Sequence, residues 1–216
     1  MDELNKYLSQ TEFIPDLKVD VGFIISNDFY YGDENEWTAE EWKTQRQLLE
    51  KPSQELYGYH ALSEAFEGNE VQLIRYYASV VQVIKDHNKI RKAGDSCFWL
   101  RPVVFHKEVN NISFPWYDTF VEALSFLDVL AKNEDGWIFD DMEQGWQVAV
   151  YAEGDKFHFI QRVWESDEPV WLASGDRAAL SAMAKQCILR VKKQIDLLTA
   201  EIGTDFWTKR EKINYE

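Results

Sequence analysis

The sequence predicts an α+β fold: an antiparallel β meander of about four strands, helices packed on one face of it, and a long C-terminal helix. Three observations predict this. Residues 137–172 alternate apolar and polar side chains between turn residues, with Glu153-Gly154-Asp155 as a tight hairpin turn. Residues 177–201 repeat apolar side chains at steps of three and four, with Asp176 before them and Gly203 after. The order along the chain is mostly helical, then a meander, then a helix. The 216 residues fit one domain, with a mainly helical N-terminal part over 1–95 and the sheet and long helix over 96–203.

The elements follow in order. Leu17 to Phe23 alternates and continues into Ile24-Ile25, which predicts a strand. Residues 26–37 read as an acidic, aromatic loop. Thr38 with Glu41 resembles a capping box and predicts a helix over 39–50 that stops before Pro52. A short helix is expected over 53–66. Asn69 caps a predicted helix over 70–92, with Val71, Ile74, Tyr77, Val81, Ile84 and Asn88 on one face. Cys97 to Phe105 reads as a strand that Pro102 places at an edge or a bulge. A helix over 117–132 carries Phe120, Ala123, Leu124, Leu127 and Leu130. In the meander, 137–139 is a short strand and 140–145 a turn. Residues 146–151 and 157–164 form a hairpin, 165–169 is an acidic loop, and 170–172 a further strand. Leu180, Met183, Ala184, Cys187, Ile188, Val191, Ile195 and Leu198 line the last helix.

Composition narrows the function. The formal charge of −15 lies in two segments. Residues 1–50 hold 12 acids against 4 bases, and residues 134–176 hold 11 against 2, while the rest of the chain is nearly balanced. Both segments are dense in Trp and Tyr. Such a surface repels phosphate and attracts a basic protein, so nucleic acid is excluded as a partner. No basic start followed by an apolar run marks a secretory signal, and no stretch approaches the roughly 18 apolar residues of a membrane helix. Two cysteines, Cys97 and Cys187, lie far apart, and Cys187 falls on an apolar helix face. A cytoplasmic protein without membrane contact is expected. Aromatic residues make up 15% of the chain, nine of them Trp, enough for a large core without disulfides.

The chemistry-bearing candidates are few. Asp140-Asp141-Met142-Glu143 is the densest carboxylate cluster, but it lacks the alternating oxygen ligands and position-12 Glu of an EF-hand. His60, His87, His106 and His158 have no partner at zinc spacing. A nucleophilic pair of Cys97 with His106 or His158 lacks a local motif. No phosphate loop, dinucleotide fingerprint or nucleophile elbow occurs. No cofactor or metal is expected. Trp99, Trp137, Trp146, Trp164 and Trp171 lie on or beside strands, where the core is the simplest place for most of them. Tyr30, Tyr31 and Trp37 sit in the acidic loop, where exposed rings suit an interface.

Phe98-Trp99-Leu100-Arg101-Pro102, then Phe139 to Trp146 with its acidic turn ending in Gln-Gly-Trp, then the closing helix, resemble bacterial cytoplasmic proteins associated with polymorphic-toxin immunity. The resemblance covers roughly the last half of the chain. It implies a non-catalytic inhibitor that binds a cognate toxin domain, often a nuclease whose phosphate-holding site is basic. Two surfaces follow as candidates for binding. The first is Asp140, Asp141, Glu143, Trp146, Glu165, Asp167 and Glu168. The second is Tyr30, Tyr31, Asp33, Glu34, Glu36 and Trp37. One alternative is a small carboxylate- or metal-dependent hydrolase, which needs Asp140, Asp141 or Glu143 to converge with a histidine such as His158. The other is a general interaction adaptor. The oligomeric state stays open.

Overall fold

The structure is a computed structural model that describes residues 4–30, 38, 40–87, 97–107, 109–113, 119–132, 134–143, 145–164, 166 and 168–208. In chain order its elements are α1 (Asn5–Leu8), β1 (Glu12–Phe13), β2 (Lys18–Ile24), β3 (Asp28–Tyr30), α2 (Glu41–Thr44), β4 (Arg46–Leu48), β5 (Leu56–Tyr57) and β6 (His60–Leu62). A 3-10 turn (Ser63–Phe66) and α3 (Glu70–Asp86) follow, then β7 (Leu100–His106), β8 (Val109–Ser113) and α4 (Phe120–Lys132). The chain closes with β9 (Gly136–Glu143), β10 (Trp146–Glu153), β11 (Lys156–Val163), β12 (Pro169–Asp176) and α5 (Arg177–Ile202). The fold is α+β, as the sequence predicts. One five-stranded sheet has the order β1-β12-β11-β10-β9, a second the order β5-β6-β2-β7-β8, and β3 pairs with β4.

The chain divides into two compact units. The first comprises Met1–Val21, Arg101–Tyr117 and Glu122–Leu189. Its centre is the antiparallel meander β9 to β12, to which β1 adds in parallel through Glu12↔Ala173 and Phe13↔Ser174. Side chains alternate across the pleat, so the two faces of the meander differ. Phe139, Val148, Val150, Phe157 and Phe159 face the helices. Phe139 meets Phe126 of α4 edge to face at 5.2 Å. At the start of α5, Leu180 packs so closely on β12 that a Cβ on Gly175 would stand 2.9 Å from its Cδ1. The other face carries Ala149 and Ile160, covered by Leu4 and Tyr7 of the N-terminal segment with Leu8, Trp137 and Leu172 around them. Deeper in this unit the Asp20 carboxylate accepts bonds from the Val21 amide and the Cys187 thiol.

The second unit comprises Gly22–Leu100, Asp118–Val121 and Arg190–Glu216. Its core is aromatic. Tyr77 on α3 stacks on Phe98 at 5.7 Å and meets Trp207 edge to face at 5.1 Å, and its hydroxyl donates to the Ile24 carbonyl. The end of α5 is tied down by Arg190, which donates to Ser63 Oγ, and by Gln194, which donates to the Ser63 carbonyl.

Four expectations change. The helix over 39–50 is only Glu41–Thr44, because Arg46–Leu48 pairs with Asp28–Tyr30 and Arg46 reaches the Asp28 carboxylate at 3.1 Å. Residues 53–66 form no α-helix but the β5–β6 hairpin and a 3-10 turn; Gly58 supplies the left-handed residue that the hairpin turn needs, at φ 62°. The buried face of α3 is rotated onto Leu73, Tyr76 and Val80 beside Tyr77, Val81 and Ile84, and leaves Val71 exposed. Asn88 lies outside the described residues. Pro102 is not at an edge, since its strand has neighbours on both sides, but the strand does carry a register shift with β8, between Val104 and His106. The last helix matches its prediction closely. Asp176 Oδ1 accepts from the Ala179 amide at 2.6 Å, and Gly203 at φ 84° ends the helix by donating to the Thr199 carbonyl.

Candidate docking surface

The first predicted surface is built by the hairpin end of the meander, and it differs from the expected acidic turn. β9 does not stop at Phe139. It runs on through Asp140, Asp141 and Met142 to Glu143, paired residue by residue with β10. The pleat therefore separates the acids. Asp140, opposite Ala149, lies on the face that the N-terminal segment partly covers, and Asp141, opposite Val148, lies on the helix-covered face with Trp146. Glu143 pairs with Trp146 at the strand end. Glu165 and Asp167 lie outside the described residues, as do Tyr31, Asp33, Glu34, Glu36 and Trp37. Glu168 is exposed beside the turn in which its amide bonds Ser166 Oγ. Tyr30 ends β3 opposite Arg46.

What the structure does bring together is a row across the sheet. Met142, Gln147 and Arg162 stand side by side on β9, β10 and β11. Arg162 is only 2% exposed and Gln147 4%. Arg162 Nε donates to Gln147 Oε1, and Gln147 Nε2 donates to Asp140 Oδ1, each at 2.6 Å. A buried guanidinium costs several kcal/mol unless its donors are used. Here the relay carries its hydrogen bonding out to an exposed carboxylate. Above the relay, Trp164 lies over the Arg162 guanidinium at 5.2 Å, with its amide tied to the Gly145 carbonyl. Trp164 is 47% exposed and Met142 48%. Val170, also exposed, is the extra residue where the β11–β12 register shifts between Gln161 and Arg162.

This corrects the reading of most of the strand Trp residues as core: Trp99, Trp137, Trp146 and Trp171 are only partly buried and Trp164 is exposed. Trp164 follows the last residue of β11, in a turn, and its ring lies against the Arg162 guanidinium and not in the cluster that covers Ala149 and Ile160. The sequence did hold a signal: Trp164 directly precedes the acidic loop, where a ring loses its cover. Met142 was hidden among acids, and its exposure follows from the strand extending through the expected turn.

The arrangement does not assemble a hydrolase from these groups. His158 sits on β11, two strands across and two residues along from Asp140 on β9, roughly 12 Å away. Its Nδ1 is bonded at 2.7 Å to Thr11 Oγ1, whose own proton goes to the Leu8 carbonyl. Burial holds the His158 imidazole below its ordinary value, which favours the neutral ring. Burial also pushes the Cys97 thiol up to about 11, away from a nucleophilic thiolate. Among the described residues no group of three or more His, Cys, Asp or Glu is placed to hold a metal ion, and no helix is long and apolar enough to cross a membrane. A polar cleft of about 440 Å³ lined by Asp135, Gly154, Asp155, Asp176 and Arg177 lies at the other end of the meander, with Arg177 bonded to Asp135.

No known family model, curated protein or solved structure matches this chain.

Proposed function

We propose that this protein is a stoichiometric inhibitor of the immunity type, which docks the hairpin end of its meander onto a basic partner domain. The observation that carries the reading is the half-exposed pair of Met142, on β9, and Trp164, in the turn just past β11, beside the relay from buried Arg162 through Gln147 to exposed Asp140. A rigid aromatic side chain beside a preorganised sheet suits an interface anchor, since little ordering is needed on binding. Asp140 and Glu168 form an acidic rim, and the net charge of −15 steers encounter with a cationic surface. The immunity-protein resemblance of residues 98–198 names the class of partner: a toxin effector domain, of the nuclease kind in which a basic active site binds phosphate. Inhibition then consists of covering that site with apolar contact at the centre and carboxylates at the margin.

The test is capture of the partner from lysate of the source cells at moderate salt, with tagged wild type and a Met142→Ala/Trp164→Ala variant compared side by side. Both side chains are half exposed, so the variant should keep its thermal midpoint. The wild type is expected to retain one basic protein in equimolar amount and the variant to lose most of it. Equal retention by the two proteins would overturn the proposed surface.

A further inference from the structure

We infer that a groove in the second unit, between residues 50–53 and the first half of α3, binds a small molecule that carries an oxyanion head, carboxylate or phosphate, on an apolar body. None of the residues that form it belongs to the proposed docking surface. The groove has a volume of about 380 Å³. Small-ligand sites typically have about 300–1,000 Å³. One side of it is a single face of α3, with Val71, Arg75 and Ser79 at steps of four and Gln72 and Tyr76 beside them. Glu50, Lys51 and Pro52 form the facing wall.

The frame is held by its own hydrogen bonds. Gln72 Oε1 accepts from the amide and the hydroxyl of Ser53, each at 2.9 Å, which ties the wall to the helix. Just before the wall, Leu49 is buried and its amide donates to the Asn27 carbonyl. Tyr76 is buried, and its hydroxyl is engaged with the Ser26 amide and carbonyl. Ser79 Oγ donates to the Tyr76 carbonyl at 2.6 Å.

The charge left over is cationic. Among the described residues, Arg75 and Lys51 have no hydrogen-bond or ion-pair partner, whereas Arg46, Lys132, Arg177, Arg190 and Lys193 each hold a carboxylate. Two unpaired cations on one groove, against the single carboxylate of Glu50, are unexpected in a chain with 38 acids and 23 bases. A guanidinium takes a carboxylate or phosphate through two parallel hydrogen bonds, and an ammonium from the facing wall adds a point charge. Val71, half exposed, and Pro52 give an apolar body a surface to lie on. The net charge of −15 repels a polyanion whose phosphates extend beyond the groove, so a single head group is the charge that fits.

The experiment titrates the full-length, isotope-labelled protein with phenyl phosphate and with benzoate, and with benzamidine as a cation of the same size, and follows the backbone amides by NMR. The anions are expected to move the amides of residues 51–53 and 69–72 in a saturable way, with a dissociation constant of about a millimolar or below. Arg75→Gln should weaken that binding about tenfold and Lys51→Gln about threefold or more. Both side chains are exposed, so the rest of the spectrum should stay unchanged. Lys85→Gln, near the end of the same helix and outside the groove, should leave the binding as in wild type. Tighter binding of phenyl phosphate assigns the site to phosphate monoesters, tighter binding of benzoate to carboxylates, and either supports it. No saturable shift at about 10 mM of either anion, an equal loss from Lys85→Gln, or equal binding of benzamidine would overturn the inference.

Discussion

Asp140 and Asp141 are adjacent in sequence and on opposite faces of a sheet, and this single fact changes the chemistry read from their cluster. Carboxylates were legible as a group, but their directions depend on whether residue 140 is in a turn or a strand, and the ladder to β10 decided that. Gln147 was not legible as functional at all; only the register that sets it between Asp140 and Arg162 gives it a role. Replacing Gln147 by Leu removes an acceptor from a buried guanidinium and should lower stability by about 1–3 kcal/mol, read as a shift in urea midpoint at unchanged slope. Gly22 is a second case. A Cβ there would stand 2.7 Å from His60 Cβ, an atom fixed by its own strand, so Gly22→Ala should cost about 1–3 kcal/mol in the same assay. His158 offers a pH prediction. Its folded-state pKa lies below the ordinary 6.5, so the unfolded chain takes up the proton first. The stability due to the neutral ring is complete above about 6.5 and is lost as pH falls through the lowered value. Denaturant midpoints between pH 7.5 and 5 should drop more for wild type than for His158→Asn; parallel curves would refute the assignment.

Elements were legible in proportion to how local their causes are. α5 was predicted almost to the residue because its cap, stripe and terminating glycine are all in its own sequence. Asp176→Ala should accordingly cost about 1 kcal/mol through the lost bond to the Ala179 amide, measurable as a lower thermal midpoint. The predicted helix over 39–50 failed for the converse reason. Arg46–Leu48 has a partner 18 residues away in Asp28–Tyr30, and tertiary pairing overrode local propensity. β9 departs from expectation for a different reason: its partner β10 is close in sequence, down to Glu143↔Trp146, but acidic residues are poor strand formers and the ladder draws them in. The α3 stripe was misplaced by about one residue because several faces of that helix are apolar enough to qualify. Exposed Met142 follows from the ladder of the β9–β10 hairpin and exposed Trp164 from the turn after β11, so the apolar centre of the candidate surface is less visible in the sequence than its acidic rim.

At the scale of the whole molecule, charge and surface chemistry act on different steps of binding. The net charge of −15 belongs to encounter, so association with a cationic partner should slow about tenfold or more between 50 and 300 mM salt, while dissociation changes little. On the proposed docking reading Trp164 acts on residence, and its loss should appear mainly as faster dissociation. The α+β class and the acidic character of the protein are readable from pattern and composition; the surface proposed for docking is read from the fold. The measurement that tests the account most directly is a calorimetric titration of the captured partner with wild type and Trp164→Ala at one salt concentration. The account predicts affinity weakened by about 30-fold or more with an unchanged thermal midpoint. An affinity within twofold of wild type would contradict it.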